Sequence, residues 1–150
     1  MGVDIVPLTE AEKSKWPKEP LVTLPKPFVD ARGEIIPLVD IDMRSCVMIS
    51  SRRGTTRADH YHRTDWHFCY VVSGCIEYYH RPTGSREKPA KVVARAGQMI
   101  FTPPMVDHTM SFPEDTLFVT LGRNYRSQEV YEADVVRIES LLKEMEIPVG

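Results

Sequence analysis

The chain has 150 residues, 42% of them hydrophobic and 27% charged, and a formal charge of −2 at pH 7. That length suits a single domain able to bury about 70% of its unfolded surface, and 19 basic against 21 acidic residues provide no footprint for nucleic acid. Apolar runs fall far short of the ~20 residues a membrane span needs.

Residues 1–27 form a proline-rich arm (Pro7, Pro17, Pro20, Pro25, Pro27) that resists regular structure. Asp4, Glu10, Glu12 and Glu19 leave no apolar signal core there, so a cytoplasmic protein is expected. One short helix is predicted in the arm, with Thr9 as N-cap, Glu12 completing a capping box and Pro17 stopping it. From 28 to 124 the texture changes to short β-type runs, at 34–38, 46–50, 68–72, 76–80, 91–94, 99–102 and 117–121. Ser73-Gly74 reads as a tight hairpin turn and Pro82-Thr83-Gly84-Ser85 as a longer loop. Seven or more short strands at this spacing predict an antiparallel sandwich or barrel. In the segment 125–150, Tyr131, Val135, Ile138 and Leu142 recur at helical spacing, with Leu141 and Met145 widening the stripe. This predicts an amphipathic helix over 131–146 packed on the barrel. Cys46, Cys69 and Cys75 are odd in number and lack C-x-x-C spacing, which predicts reduced, mostly buried thiols.

Four of the five histidines cluster: His60, His62 and His67 fall within eight residues, and His108 follows Pro103-Pro104. Residues at i and i+2 of a strand share a face, so His60 and His62 would enter a common lumen. A hairpin would bring His67 back toward them, and the proline turn would deliver His108 from the facing side. Converging imidazoles suit a divalent transition metal (Fe, Zn, Ni or Cu) rather than Mg or Ca. Asp59, Asp65 and Asp107 are the candidate carboxylates to orient the rings. A metal-free catalytic histidine pair, or ordinary hydrogen-bonded core histidines, are the competing readings. His80 is read as a surface residue.

These residues resemble the two motifs of the cupin superfamily. Gly54, His60, His62, His67 and Gly74 keep every spacing of the first, with His67 where the family has Glu. Gly97, Pro103, Met105, His108 and Phe112 follow the second, with its middle Gly and final Asn replaced, so seven of ten defined positions agree. The resemblance implies a single all-β cupin double-stranded β-helix (jelly-roll) barrel over 28–124, with His60, His62, His67 and His108 as metal ligands. Replacing Glu by a neutral imidazole leaves a divalent ion its full +2 charge and invites an anionic ligand.

Phe28-Val29-Asp30-Ala31-Arg32-Gly33 resembles the opening strand of the cupin-type deoxysugar-nucleotide epimerases and ketoisomerases. Arg57-Ala58-Asp59-His60-Tyr61-His62 is similar to their R-G-x-H-x-H/Q signature, and 131–137 to the acidic, Arg-ended tail of the ketoisomerases. What this resemblance implies is proton transfer beside the carbonyl of a nucleotide-linked keto-sugar, as used in cell-surface polysaccharide synthesis. Arg57 would bind the diphosphate, unless it pairs with Asp59 or Asp65, and His60 would be general base only if the site is metal-free, since a ligating nitrogen has no lone pair to spare. The family's acidic tyrosine falls near Thr120, leaving Tyr70, Tyr78 or Tyr79 as substitutes. The resemblance also implies a homodimer. An all-histidine Fe(II) dioxygenase and a non-enzymatic small-molecule or sugar-binding cupin are the alternative functions.

Overall fold

A computed structural model describes residues 4–145. The elements in chain order are α1 (Glu10–Lys13), β1 (Phe28–Asp30), β2 (Gly33–Ile35), β3 (Ser45–Ser51), β4 (Thr56–His62), β5 (His67–Ser73) and β6 (Cys75–Pro82). They continue with β7 (Ala90–Arg95), β8 (Met99–Thr102), β9 (Val106–Ser111), β10 (Thr116–Gly122), α2 (Gln128–Asp134), β11 (Val135–Arg137) and α3 (Leu142–Met145). Two antiparallel sheets, ordered β3-β10-β5-β8 and β11-β4-β9-β6-β7, face one another, while β1 and β2 form a separate ribbon. The chain is thus all-β, as the strand spacing predicts.

The packing follows from side-chain alternation. On β5, Cys69 and Val71 join Ile76, Tyr78, Met110, Phe112 and Phe118 in the core between the sheets. Phe68 and Tyr70 point the other way and pack with Trp66, Met99 and Phe101 beneath Trp16, Val22 and Leu24 of the arm and Leu38, Val39 and Ile41 of the segment between β2 and β3. Both faces of the β5/β8 layer are therefore buried, which is why these strands read as unbroken apolar runs. Burying aromatics of this size contributes about 1.5–3 kcal/mol each.

The arm is more ordered than its prolines suggest. Thr9 caps α1, its hydroxyl accepting from the Glu12 amide at 3.1 Å. Leu21 bridges Ile100, and the flanking bonds Val22 N to Met99 O (2.9 Å) and Phe101 N to Pro20 O (2.8 Å) cover the open edge of β8. The Glu12 carboxylate accepts from Trp66 Nε1 at 2.8 Å and pairs with the buried guanidinium of Arg123, clamping the arm to the barrel end.

Three local expectations are corrected. Ser73-Gly74 is no hairpin: β5 and β6 lie in different sheets, and the turn is a corner between them. Gly74 has φ +94°, and a Cβ there would meet the Asp115 carbonyl oxygen at 2.4 Å. The continuous helix over 131–146 is broken: α2 ends at Asp134, Val135–Arg137 pairs with β4, and only Leu142–Met145 is helical again. The β-branched pair Val135-Val136 fits the otherwise open edge of β4 better than a helix; residue 146 lies outside the described residues. Strands β4 and β9, absent from the list of apolar runs, carry histidines where other strands carry core residues. No helix among the described residues is long and apolar enough to cross a membrane.

Candidate metal centre

The histidines gather at one end of the space between the sheets. On β9, His108 and Met110 share the inward face, and Phe112 follows just past its end, so the row passes from imidazole to apolar core. On β4, the register slips between Ala58 and His60, and Ala58 (φ +73°) and Asp59 (φ +56°) both take the left-handed conformation. Such a bulge re-aims the following side chain, here His60. His60 pairs with His108 across the two strands, and their ring centroids lie 4.7 Å apart.

The routes into the cluster differ from those expected. His108 arrives from the neighbouring strand of the same sheet, and it is His67, at the start of β5, that arrives from the facing sheet. Its ring centroid lies 4.9 Å from that of His62 and 6.1 Å from that of His108. Candidate ligand atoms of His60, His62 and His108 all lie within 4.8 Å of one another, as do those of His62, Asp65 and His67. The structure thus brings all four sequence-predicted histidines together, with His62 at the junction.

Hydrogen bonds set the tautomers. His62 Nδ1–H donates to Asp134 Oδ2 at 3.0 Å, and His108 Nδ1–H donates to the Val106 carbonyl at 2.9 Å. Because a carboxylate and a carbonyl only accept, Nε2 of each ring keeps its lone pair. His67 Nδ1 lies 3.5 Å from Asp65 Oδ2, whose other oxygen accepts from the Asn124 amide at 2.9 Å. The Asp134 carboxylate also accepts from the Thr64 amide (2.7 Å), the Thr64 hydroxyl (2.5 Å) and the Asp65 amide (3.2 Å). Of the three carboxylates expected behind the rings, Asp65 stands there. Asp59 instead accepts from the Thr109 hydroxyl and Asp107 from the Thr83 hydroxyl, both at 2.8 Å. Asp134 was not among the candidates, being 72 residues from His62 in the chain and brought to it by β11 pairing.

Electrostatics keep the rings of His60, His62 and His108 neutral. Burial, reinforced by the neighbouring His108, His62 and His67, drives the His60 pKa far below the imidazole range. Burial and the nearby His67 push His108 down to about 3, against the opposing Val106 carbonyl. His62 is lowered by burial, partly offset by the Asp134 bond. Burial would raise Asp134, but the bonds from His62 and Thr64 outweigh it and hold the carboxyl below its ordinary value.

Do these residues fit a metal? Among the described residues, the buried His62 Nε2 has no hydrogen-bond partner, an uncommon condition in a folded protein. The nitrogens of His60, His62 and His108, two of these rings with fixed tautomers, answer that orphan with a borderline transition metal such as Fe(II), Zn, Ni or Cu. His60, His62 and His108 could hold one such ion, and His67 stands beside them in a second group that shares His62.

The cavity above them has a volume of about 150 Å³, and Arg57, Met110, Phe118, Thr120, Arg126 and Tyr131 contribute to its walls. Arg57 pairs with neither Asp59 nor Asp65; it donates to the Ser51 hydroxyl (2.7 Å) and the Ser50 carbonyl (2.9 Å). The substitute tyrosines are misplaced: Tyr70 packs under the arm, the buried Tyr78 hydroxyl bonds Thr102 at 2.8 Å, and Tyr79 bonds Glu77 at 3.2 Å. Tyr131 is the tyrosine at the site, its ring centroid 6.3 Å from His60 and 5.9 Å from His62. Read as part of a helix stripe, it could have been found from its proximity to β11. His80 is half-buried and stacked on Tyr78 rather than a surface residue.

No family model matches the chain, and no curated protein is similar to it in sequence. Solved structures are similar. The sugar 3,4-ketoisomerase QdtA from Thermoanaerobacterium thermosaccharolyticum, in complex with TDP, superposes with a TM-score of 0.63 at 18% identity, over 78% of this chain and 85% of that one. A dTDP-4-dehydrorhamnose 3,5-epimerase from Sulfolobus tokodaii gives 0.65 at 20% identity, over 85% and 80%. The TDP-fucose-3,4-ketoisomerase WlaRA from Campylobacter jejuni gives 0.61 at 13% identity, over 74% and 83%. Two facing antiparallel sheets, a histidine cluster between them and these likenesses together identify the fold of this chain as the cupin jelly roll.

Proposed function

We propose that the protein is a metal-dependent isomerase or epimerase acting on a nucleotide-linked keto-sugar, of the kind that supplies cell-surface polysaccharide. The observation that carries this reading is a cavity lined by four imidazoles and two guanidiniums and, among the described residues, by no carboxylate. His60, His62, His67 and His108 are the residues that hold the ion. Bound there, a divalent metal supplies Lewis acidity toward a carbonyl oxygen. His60 serves as ligand rather than base, because a nitrogen that holds the ion has no lone pair left to accept a proton. Arg57 binds the anionic part of the substrate, and Thr120, standing where the family's tyrosine is expected, leaves the phenol of Tyr131 to face the sugar. A cavity of about 150 Å³ receives only the reacting end of such a molecule, so the nucleotide lies across the mouth.

The test is solvent exchange. Protein loaded with each of Fe(II), Zn and Ni is incubated in D2O with TDP-4-keto-6-deoxyglucose and followed by NMR. Deuterium should appear at carbon beside the carbonyl. Absence of exchange with every metal removes the reading.

The small volume, about 150 Å³, also favours a second reading, an iron dioxygenase of a small acid, in which four histidines leave two octahedral positions. Iron-dependent oxygen uptake with small carboxylic acids distinguishes it.

We also infer a homodimer. Phe28, Val29 and Ile35 of the β1–β2 ribbon are 62%, 67% and 63% exposed, and a two-stranded ribbon alone is marginally stable. The open edge of β3, beside exposed Met48, offers a second copy a strand to extend. Val29→Asp should convert a dimer to a monomer in sedimentation; a monomeric wild type would end the inference.

A further inference from the structure

The tail adds a guanidinium to the cavity that no motif accounts for. Arg126 lies just before α2 and lines the same cavity as Arg57, which stands on β4. Its Cζ sits 4.4 Å from the centroid of the Tyr131 ring. Arg32, Arg81, Arg123 and Arg137 each meet a carboxylate. Arg126 and Arg57 have no carboxylate partner among the described residues, and none lines their cavity. An exposed arginine normally samples many rotamers, and ordering it costs entropy. Stacking on an aromatic face holds the guanidinium plane while leaving its N–H donors free.

We propose that Arg126, held on Tyr131, is the second arm of a two-arginine clamp with Arg57 that grips the ligand's anionic group in this cavity. This rests on the functional reading above for the identity of the anion, a nucleoside diphosphate, and deepens it by making the tail a specificity-determining element. The clamp has a polarity: the anion sits between β4 and the tail, and the uncharged end of the ligand reaches the histidines. Guanidinium forks match phosphate oxygens in pairs, so each arm confers both charge and orientation.

Calorimetry on the full chain tests it with TDP, inorganic pyrophosphate, malonate and thymidine as probes. Wild type should bind TDP and pyrophosphate, and Arg126→Gln should weaken TDP by about ten- to hundredfold, the range for loss of a hydrogen bond to a charged group. Thymidine binding should be unchanged. Arg126→Lys should recover only part of the affinity, because charge returns without the stacked plane. An unaltered melting temperature shows that this exposed position is not acting through the fold. If wild type binds TDP and Arg126→Gln binds it equally, the clamp is wrong and the nucleotide reading survives. If malonate binds in an Arg126-dependent manner and TDP does not, the clamp stands and the nucleotide reading falls. Binding of none of the anions overturns both.

Discussion

Asp134 Oδ2 lies 3.0 Å from Nδ1 of His62, and each side chain is 2% exposed. This contact joins the tail to the centre of the histidine cluster. It fixes one imidazole tautomer and places a carboxylate behind a ring whose other nitrogen has no partner among the described residues. The same carboxylate collects the Thr64 and Asp65 amides, so it also holds the crossing from β4 to β5 that delivers His67. Orientation of two rings from opposite sheets depends on one residue.

Asp134→Asn retains the shape and loses the charge. Carboxylates behind a ligating histidine are worth about 10–100-fold in metal affinity, so the variant should bind zinc that much more weakly in a chelator competition. Equal affinity would show that Asp134 serves only the crossing.

His62 sits at the junction of the two ligand groups, whereas His80 stacks on Tyr78 outside them. His62→Ala should strip the metal from protein purified without chelator, and His80→Ala should retain it, as read by elemental analysis. Full metal content in both variants would remove the four-histidine assignment.

Met105 occupies the motif's glycine position and keeps the backbone that a glycine would take, with φ +62°. Its amide donates to the His62 carbonyl at 2.8 Å and its carbonyl accepts from the Thr83 amide at 3.0 Å, which locks the turn. A left-handed non-glycine residue costs about 1–2 kcal/mol, and the side chain is 48% exposed with little packing to lose. Met105→Gly should therefore raise stability by about 0.5–1 kcal/mol after the entropy cost of glycine, seen as a higher urea midpoint. A lower midpoint would show that the thioether packs usefully.

Acid should destabilise metal-free protein. In the folded chain His60, His62 and His108 are held neutral, with His108 down at about 3. Unfolded imidazoles titrate near 6.5, so below that pH the unfolded state binds more protons. Stability is therefore fully present above about 6.5 and falls by up to ~1.4 kcal/mol per pH unit per histidine until the folded groups protonate. Asp65 and Asp134, both held below the ordinary carboxylate range, extend the loss below about pH 4 in the same direction. Urea midpoints from pH 8 to 5 should be level above 7 and decline below it. A level profile throughout would mean that the rings protonate without penalty.

Apolar runs and turn residues were sufficient to read the β-class, because strands buried on both faces announce themselves through composition. The pairing of His60 with His62 was equally legible, since period-two geometry is local. Strands β4 and β9 were masked by the chemistry that gives them a role: histidines, Thr109 and Asp59 replace the apolar residues that mark a strand. The tail misled because Tyr131, Val135, Ile138 and Leu142 satisfy a helical period, yet strand and helix differ by little energy over so few residues.

What the amino-acid order determined by itself is therefore local: which residues alternate, which turns need glycine, and which side chains bear ligating nitrogens. Only the tertiary structure decided which sheet each histidine comes from, that Asp134 stands behind His62, and that Arg126 and Tyr131 reach the cavity. Those facts depend on contacts between segments 50 or more residues apart. Such contacts are selected by the burial of whole sheet faces, a quantity that no short window of sequence contains.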